Sequence, residues 1–351
     1  MQKSCQTKII FVMSLLICFL VQMAALAQNK KAAATTKPSA PVALIDVKCI
    51  WDKAPHNAFT DLIFYKGKWY CTFREGSKHV SNDGIVRVIA SADGAKWESV
   101  AEFASKTEDT REFKFSISPD QKLMLIGAAC DVSSGNRGLH QSYVYYTQDG
   151  KKWSEPVKAG DLGYWMWRMV WHKGTAYSFG YKATYPNGSL RLYSSTDGLT
   201  WKTLVGEVFV EGFPNETAEI FLEDDTMVCL LRRETDDKTA QIGTAKPPYI
   251  EWTWKSVGMR IGSPSLVKLP DGQIVAPIRL LNPMRTALCK VDIQEGTLTE
   301  MFKLPSGGDN GYTGAVVHNN KLWVSYYSCH QDKQSKIYLA KIPLEMFKEK
   351  K

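Results

Sequence analysis

Glu216 and Arg232 stand at the open end of one apolar hairpin. Its strands run through Ile-Phe-Leu and Met-Val-Cys-Leu-Leu, on either side of a polar turn at Glu223-Asp224-Asp225-Thr226. Antiparallel strands of equal length bring the chain back to its starting side, so the acid and the guanidinium meet at the hairpin mouth. Similar hairpins recur along the chain, and counting six residues on from the position following each turn, or seven in the second hairpin, gives Arg74, Ala128, Tyr181, Arg232, Arg279 and Tyr327. Three arginines therefore share one height. Guanidiniums that converge repel one another unless an anion joins them, and their forks match a carboxylate, so the pattern predicts an acidic ligand. The plainer reading pairs them with Glu75, Glu219 and Glu234. The strands opposite begin near Glu112, Glu216 and Tyr312. His56 and Asn57 stand just ahead of Phe59, Arg111 adjoins Glu112, and Trp165, Trp167 and Arg168 lie close together.

Positioning such groups needs a repeated scaffold. Six segments share the order apolar strand, turn, apolar strand, beginning near Phe59, Glu112, Met166, Glu216, Ser263 and Tyr312. Their turns fall at Lys66-Gly67, Pro119-Asp120, Lys173-Gly174, Asp224-Asp225, Asp271-Gly272 and Asn319-Asn320. The starts are about 45 to 55 residues apart, the length of a four-stranded propeller blade. A third strand follows and ends in Ser91-Ala-Asp93-Gly94-Ala-Lys-Trp97, Thr147-Gln-Asp149-Gly150-Lys-Lys-Trp153 and Ser195-Thr-Asp197-Gly198-Leu-Thr-Trp201. In this pattern Asp caps backbone N–H groups, Gly takes a positive φ and Trp packs between sheets. A fourth copy is reduced to a remnant ending at Trp252, and the last two segments lack it. No long helical periodicity appears. The chain is expected to be all-β, a six-bladed β-propeller of four-stranded antiparallel blades over residues 43–351, with strand 43–51 closing the last blade.

Residues 1–27 read as a signal peptide. Lys3 and Lys8 form a basic start, Ile9 to Leu20 an apolar core, and Ala25-Leu26-Ala27 a cleavage signal. Residues 28–42, rich in Lys, Ala, Thr, Ser and Pro, read as a flexible leader. The expectation is a soluble exported protein, periplasmic or secreted, without a membrane anchor. Removing the two signal lysines lowers the formal charge from +8 to +6, and the remaining excess is scattered. That suits a small acidic ligand and speaks against nucleic acid. Six cysteines remain, at 49, 71, 130, 229, 289 and 329, without metal-ligand spacing. No nucleotide loop or flavin fingerprint appears, and no cofactor or metal is expected.

The Ser/Thr-x-Asp-Gly-x-x-Trp turns resemble the Asp-box repeat of the sialidase superfamily. In that family a Glu is followed sixteen residues later by an arginine of a carboxylate-binding triad, as Glu216 is by Arg232 here. Gly311-Tyr312-Thr313 resembles the segment of the tyrosine nucleophile, Asp83 falls where the acid/base aspartate lies, and Arg279 resembles the third arginine. The resemblance implies an exo-acting glycoside hydrolase. Glu216 would take the Tyr312 proton, since a phenol is a poor nucleophile at its ordinary pKa of about 10. Asp83 would serve as acid and then base. The family's first arginine has no counterpart in His56-Asn57-Ala58-Phe59-Thr60-Asp61-Leu62, so Arg74 or Arg111 is expected to substitute. The expected partner is thus the terminal, acidic or otherwise substituted sugar of a glycan.

His56 and His79 lie near the mouth of blade one, where either could hydrogen-bond a sugar hydroxyl or serve as acid/base; a structural hydrogen bond is the ordinary role. One of Trp165 and Trp167 could stack on a sugar face, because alternating residues point opposite ways. Two other functions fit the same residues. One is a sugar-binding propeller without turnover. The other is a polysaccharide lyase in which His56 or Tyr312 takes a proton beside a uronate carboxylate.

Overall fold

The computed structural model describes residues 45–130, 139–184 and 187–348; the expected signal peptide and leader lie outside them. Residues 41–351 form one unit. Apolar strands separated by tight turns pair with their neighbours in sequence, and the result is six antiparallel sheets. Blade one runs through His56–Tyr65, Lys68–Gly76, Ile85–Ser91 and Glu98–Ala104, and blade two through Asp109–Ile117, Leu123–Cys130, His140–Thr147 and Val157–Ala159. Blade three is built on Thr175–Lys182, blade four on Pro214–Phe221 and Met227–Arg233, and blade five on Ile274–Leu281. Blade six combines Asn310–His318, Lys321–Ser328 and Lys336–Pro343 with Asp46–Trp51, which pairs outside Lys336–Pro343. The strand expected to close the ring therefore does so, and the first and last described strands share one sheet. A short 3-10 turn, Leu344–Phe347, follows.

The inner strands of blades one and two are buried almost throughout, whereas the fourth strand of blade one exposes most of its residues and that of blade three half of them. Large side chains fill the space between blades. Trp69 stacks on Trp323 with ring centroids 4.1 Å apart, and Phe103 meets Trp153 edge-on at 5.4 Å. The Asp-Gly turns have one geometry. Asp93, Asp149 and Asp197 each accept two backbone N–H groups ahead of them, and Gly94, Gly150 and Gly198 have φ of 68°, 72° and 72°. All six described cysteines are free thiols, and four of them are buried.

The feature that matters for a site is a fault at one height in every inner strand. In blade one the register passes from Ala58↔Arg74 directly to Asp61↔Thr72, and in blade two from Arg111↔Ala128 to Lys114↔Ile126. Blades four and six break at Pro214/Thr217 and Gly311/Gly314. Blades three and five split the strand outright, between Met166 and Val170 and between Gly262 and Val267. Phe59, Glu112, Ser263 and Tyr312, the first or second residues of four of these faults, have φ of 63°, 63°, 46° and 50°. Side-chain-bearing residues in that left-handed region are strained by roughly 1–2 kcal/mol each and cluster where geometry serves function.

Candidate active site

The bulges gather side chains that are far apart in sequence. The Tyr312 hydroxyl donates to Glu216 Oε1 at 2.5 Å. Glu216 Oε2 accepts from Arg232 at 2.7 Å and from the Ser263 backbone N–H at 2.6 Å. Ser263 also fixes its partner, because its hydroxyl accepts the Tyr312 N–H at 2.9 Å. The Arg279 guanidinium lies 5.4 Å from the centre of the Tyr312 ring, against which Phe59 packs at 4.7 Å, Trp167 at 5.7 Å and Tyr327 at 5.9 Å. Exposure falls from lip to floor: 45 % for His79, 30 % for Asp309, 14 % for Arg232 and 3 % for Glu216.

The charges in this space are set against one another. Burial alone would push the Glu216 carboxyl up, but Arg232 and Arg279 outweigh it and hold it below the usual carboxylate range. Burial raises Glu112, and the nearby Glu216 charge raises it further, against the pull of Arg111. The two carboxyls are thereby driven apart, one ionised and one favouring its proton. Burial and the charge of Glu216 keep Tyr312 protonated, its pKa well above 10. A phenolate can form there only as its proton passes to Glu216. Lys114, fully buried, donates to the Thr60 carbonyl at 2.7 Å and lies 5.6 Å from the Tyr312 ring; burial and Arg168 lower it to about 8.

The structure brings together Tyr312, Glu216, Arg232 and Arg279, with Arg111 one side chain away over the Phe59 ring at 4.4 Å. Arg111 is paired with Glu112 at 3.1 Å and Asp109 at 3.3 Å. Arg74 differs from the expectation of a ligand-binding arginine. Its guanidinium is fully buried, bonded to Asp109 at 2.6 Å, to the Lys78 carbonyl at 2.8 Å and to Ser81 at 2.9 Å. It has the register of Arg279, yet the 77–84 loop folds over it and consumes its donors. Arg168 likewise turns to Asp61 at 3.1 Å and the Thr313 carbonyl at 2.9 Å, bracing the inner strands of blades one and six. Trp165 is buried in a stack with Tyr181 and beside His140, so it offers no free face. Asp83 is exposed and accepts the Ser77 N–H at 3.0 Å. Hydrogen bonding from Ser81, and then from Ser77, keeps it below the usual range.

Two residues escaped the sequence reading. Glu112 stands in the sequence only as a strand start, although burial raises its carboxyl. Asp309 was not singled out. It accepts from Tyr327 at 2.7 Å and lies within hydrogen-bond reach of both His56, at 3.1 Å, and His79, at 2.6 Å. The available signal was positional: Asp109 and Asp309 each stand three residues ahead of a bulge residue, Glu112 and Tyr312, and each receives the arginine of the preceding blade.

No protein-family model and no curated protein matches the chain. Solved structures do. A Dyadobacter fermentans protein of unknown function superposes with a TM-score of 0.75 at 19% identity, covering 86% of this chain and 100% of the other. The α-L-arabinanase of Penicillium chrysogenum, complexed with arabinobiose, has a TM-score of 0.68 at 14% identity, covering 85% and 98%. The Trypanosoma rangeli sialidase bound to the inhibitor DANA has a TM-score of 0.65 at 15% identity, covering 82% of this chain and 55% of that longer one. Repeat, ring closure and these superpositions agree, and the fold of the chain is the six-bladed propeller shared by sialidases and arabinanases.

Proposed function

We propose that the protein is a glycoside hydrolase that releases a terminal sugar, acidic in character, from a glycan. The observation that carries this reading is the Tyr312 hydroxyl bonded to Glu216, with Arg232 and Arg279 beside the pair. Tyr312 attacks the anomeric carbon as its proton passes to Glu216 Oε1, and the bond to the leaving oxygen breaks as an acid protonates that oxygen. Water, deprotonated by the same acid's conjugate base, then displaces Tyr312, which recovers its proton from Glu216. A neutral nucleophile suits an anomeric centre carrying a carboxylate, which Arg232 and Arg279 are charged to receive. For the acid, Glu112 is favoured over Asp83, because burial raises its carboxyl while hydrogen bonds lower that of Asp83. The carbohydrate complexes of the similarly folded arabinanase and sialidase support a sugar substrate. The basic start, apolar core and Ala25-Leu26-Ala27 signal support export.

A panel of chromogenic glycosides and acidic oligosaccharides tests the reading, with released sugar and ultraviolet absorbance followed together. Sugar release without absorbance is the expected result; absorbance from an unsaturated product indicates elimination instead, and binding without turnover a sugar-binding propeller. Tyr312→Phe and Glu216→Ala should each lower kcat by about 10³-fold. Wild-type turnover in either variant overturns the mechanism.

A further inference from the structure

Beside the tyrosine and its carboxylate lies a second cluster that the proposed hydrolysis does not use. His56 from the inner strand of blade one, His79 from the loop behind it and Asp309 ahead of the inner strand of blade six place one ligating atom each within 4.8 Å of one another. Asp309 Oδ2 is 3.1 Å from His56 Nε2 and 2.6 Å from His79 Nδ1. The other carboxylate oxygen is held from behind, by the Tyr327 hydroxyl at 2.7 Å, with Arg279 at 3.7 Å. That division leaves one oxygen, Oδ2, on which the two imidazole nitrogens converge.

We propose that His56, His79 and Asp309 form a binding site for a divalent transition metal of the zinc class. Two imidazoles and one carboxylate, with a fourth position open, are the donor set of an accessible zinc site. Zinc–ligand bonds of about 2.0–2.1 Å separate tetrahedral ligand atoms by roughly 3.3 Å. The His56–Asp309 spacing is close to that, and His79 must withdraw by under about 1 Å, which its exposed loop allows. The Tyr327 hydroxyl supplies the outer hydrogen bond that orients a ligating carboxylate. Phe59 and Tyr327 wall the cluster, their ring centroids 6.2 Å from that of His56, while His79 keeps the open side in water. Arg279 opposes a cation, so the affinity should be micromolar rather than that of a closed structural site. A metal there would face whatever ligand enters beside Tyr312, offering its open position to a hydroxyl or carboxylate.

The test uses untagged, chelator-treated full-length protein titrated with zinc by calorimetry, and with cobalt followed by visible absorption. One zinc per chain with a dissociation constant in the micromolar range is expected, together with the cobalt bands of four-coordinate N/O ligation. Asp309→Asn and His79→Ala should each weaken binding at least about 10-fold, and Tyr327→Phe by about 10-fold. Circular dichroism and melting curves establish that each variant is folded; His79, on an exposed loop, is the variant whose fold is least at risk. Absence of zinc heat and cobalt bands overturns the proposal and leaves a hydrogen-bonded triad. Binding that persists unchanged in both the Asp309 and His79 variants also overturns it, as adventitious surface binding. Neither readout depends on turnover, so the result is separable from the fate of the hydrolase reading.

Discussion

Glu112 and Glu216 illustrate how one cavity assigns opposite protonation states to the same chemical group. Glu216, between Arg232, the Ser263 N–H and Tyr312, is held below the usual carboxylate range; Glu112, buried and facing that anion, is raised above it. Their pH effects therefore have opposite signs. Glu216, depressed in the folded state, contributes stability that is present above the ordinary glutamate pKa of about 4.3 and is lost as pH falls through its folded value. Glu112, raised in the folded state, has the reverse effect, and stability falls as pH rises above the ordinary value. Turnover should be bell-shaped, limited at low pH by protonation of Glu216 and at higher pH by ionisation of Glu112. Glu112→Gln should lower kcat about 10²–10⁴-fold and abolish the alkaline limb, whereas Asp83→Asn should leave that limb in place; pH–rate profiles decide. Arg74 belongs to the same scale. Its pair with Asp109 is wholly buried, so Asp109→Asn or Arg74→Met strands one buried partner and should cost about 3–5 kcal/mol in denaturant unfolding, with no direct loss of ligand affinity.

At the scale of the strand, the bulge is what separates this hairpin array from a plain one. A regular inner strand would send alternate side chains into the spaces between blades. The left-handed residues at Phe59, Glu112, Ser263 and Tyr312 break that alternation at one height around the ring. Gly314 shows how closely the inner strands approach just past the break. A Cβ there would lie 2.1 Å from the Leu62 nitrogen and 2.6 Å from the Asp61 carbonyl carbon, both backbone atoms that cannot step aside. Gly314→Ala should destabilise the protein by about 1–3 kcal/mol, read as a lower urea midpoint, and should also impair turnover by displacing Tyr312. Gly67→Ala is a control of a different kind: its φ is 77° in an open turn, so only turn strain is expected, with no loss of turnover in the folded protein.

At the scale of the whole molecule, the ring is closed by Asp46–Trp51 pairing with Lys336–Pro343, and that pairing depends on the ends of the described chain meeting. Deleting residues 43–51 should lower the thermal midpoint and raise aggregation, since it uncovers the edge of the last blade. The repeat was legible because blade architecture is written locally: apolar alternation, Gly/Asp turns at a steady period, and Asp-Gly turns whose capping involves only neighbouring residues. The height shared by Arg74, Arg232 and Arg279 was legible too, since register within a hairpin follows from counting outward from its turn. What counting could not supply was direction and company. Arg74 and Arg279 have equivalent registers, yet a covering loop buries one and leaves the other beside Tyr312. Glu112 is unremarkable in its own strand; its carboxyl is raised by burial in the assembled ring and further by Glu216, which blade four brings opposite. His56, His79 and Asp309 have no spacing that marks them as a group; blade one joins the two histidines, and ring closure brings Asp309 to them. Local order is a property of contiguous residues and survives in a linear reading, whereas protonation state and ligand geometry depend on charges and desolvation contributed by distant blades.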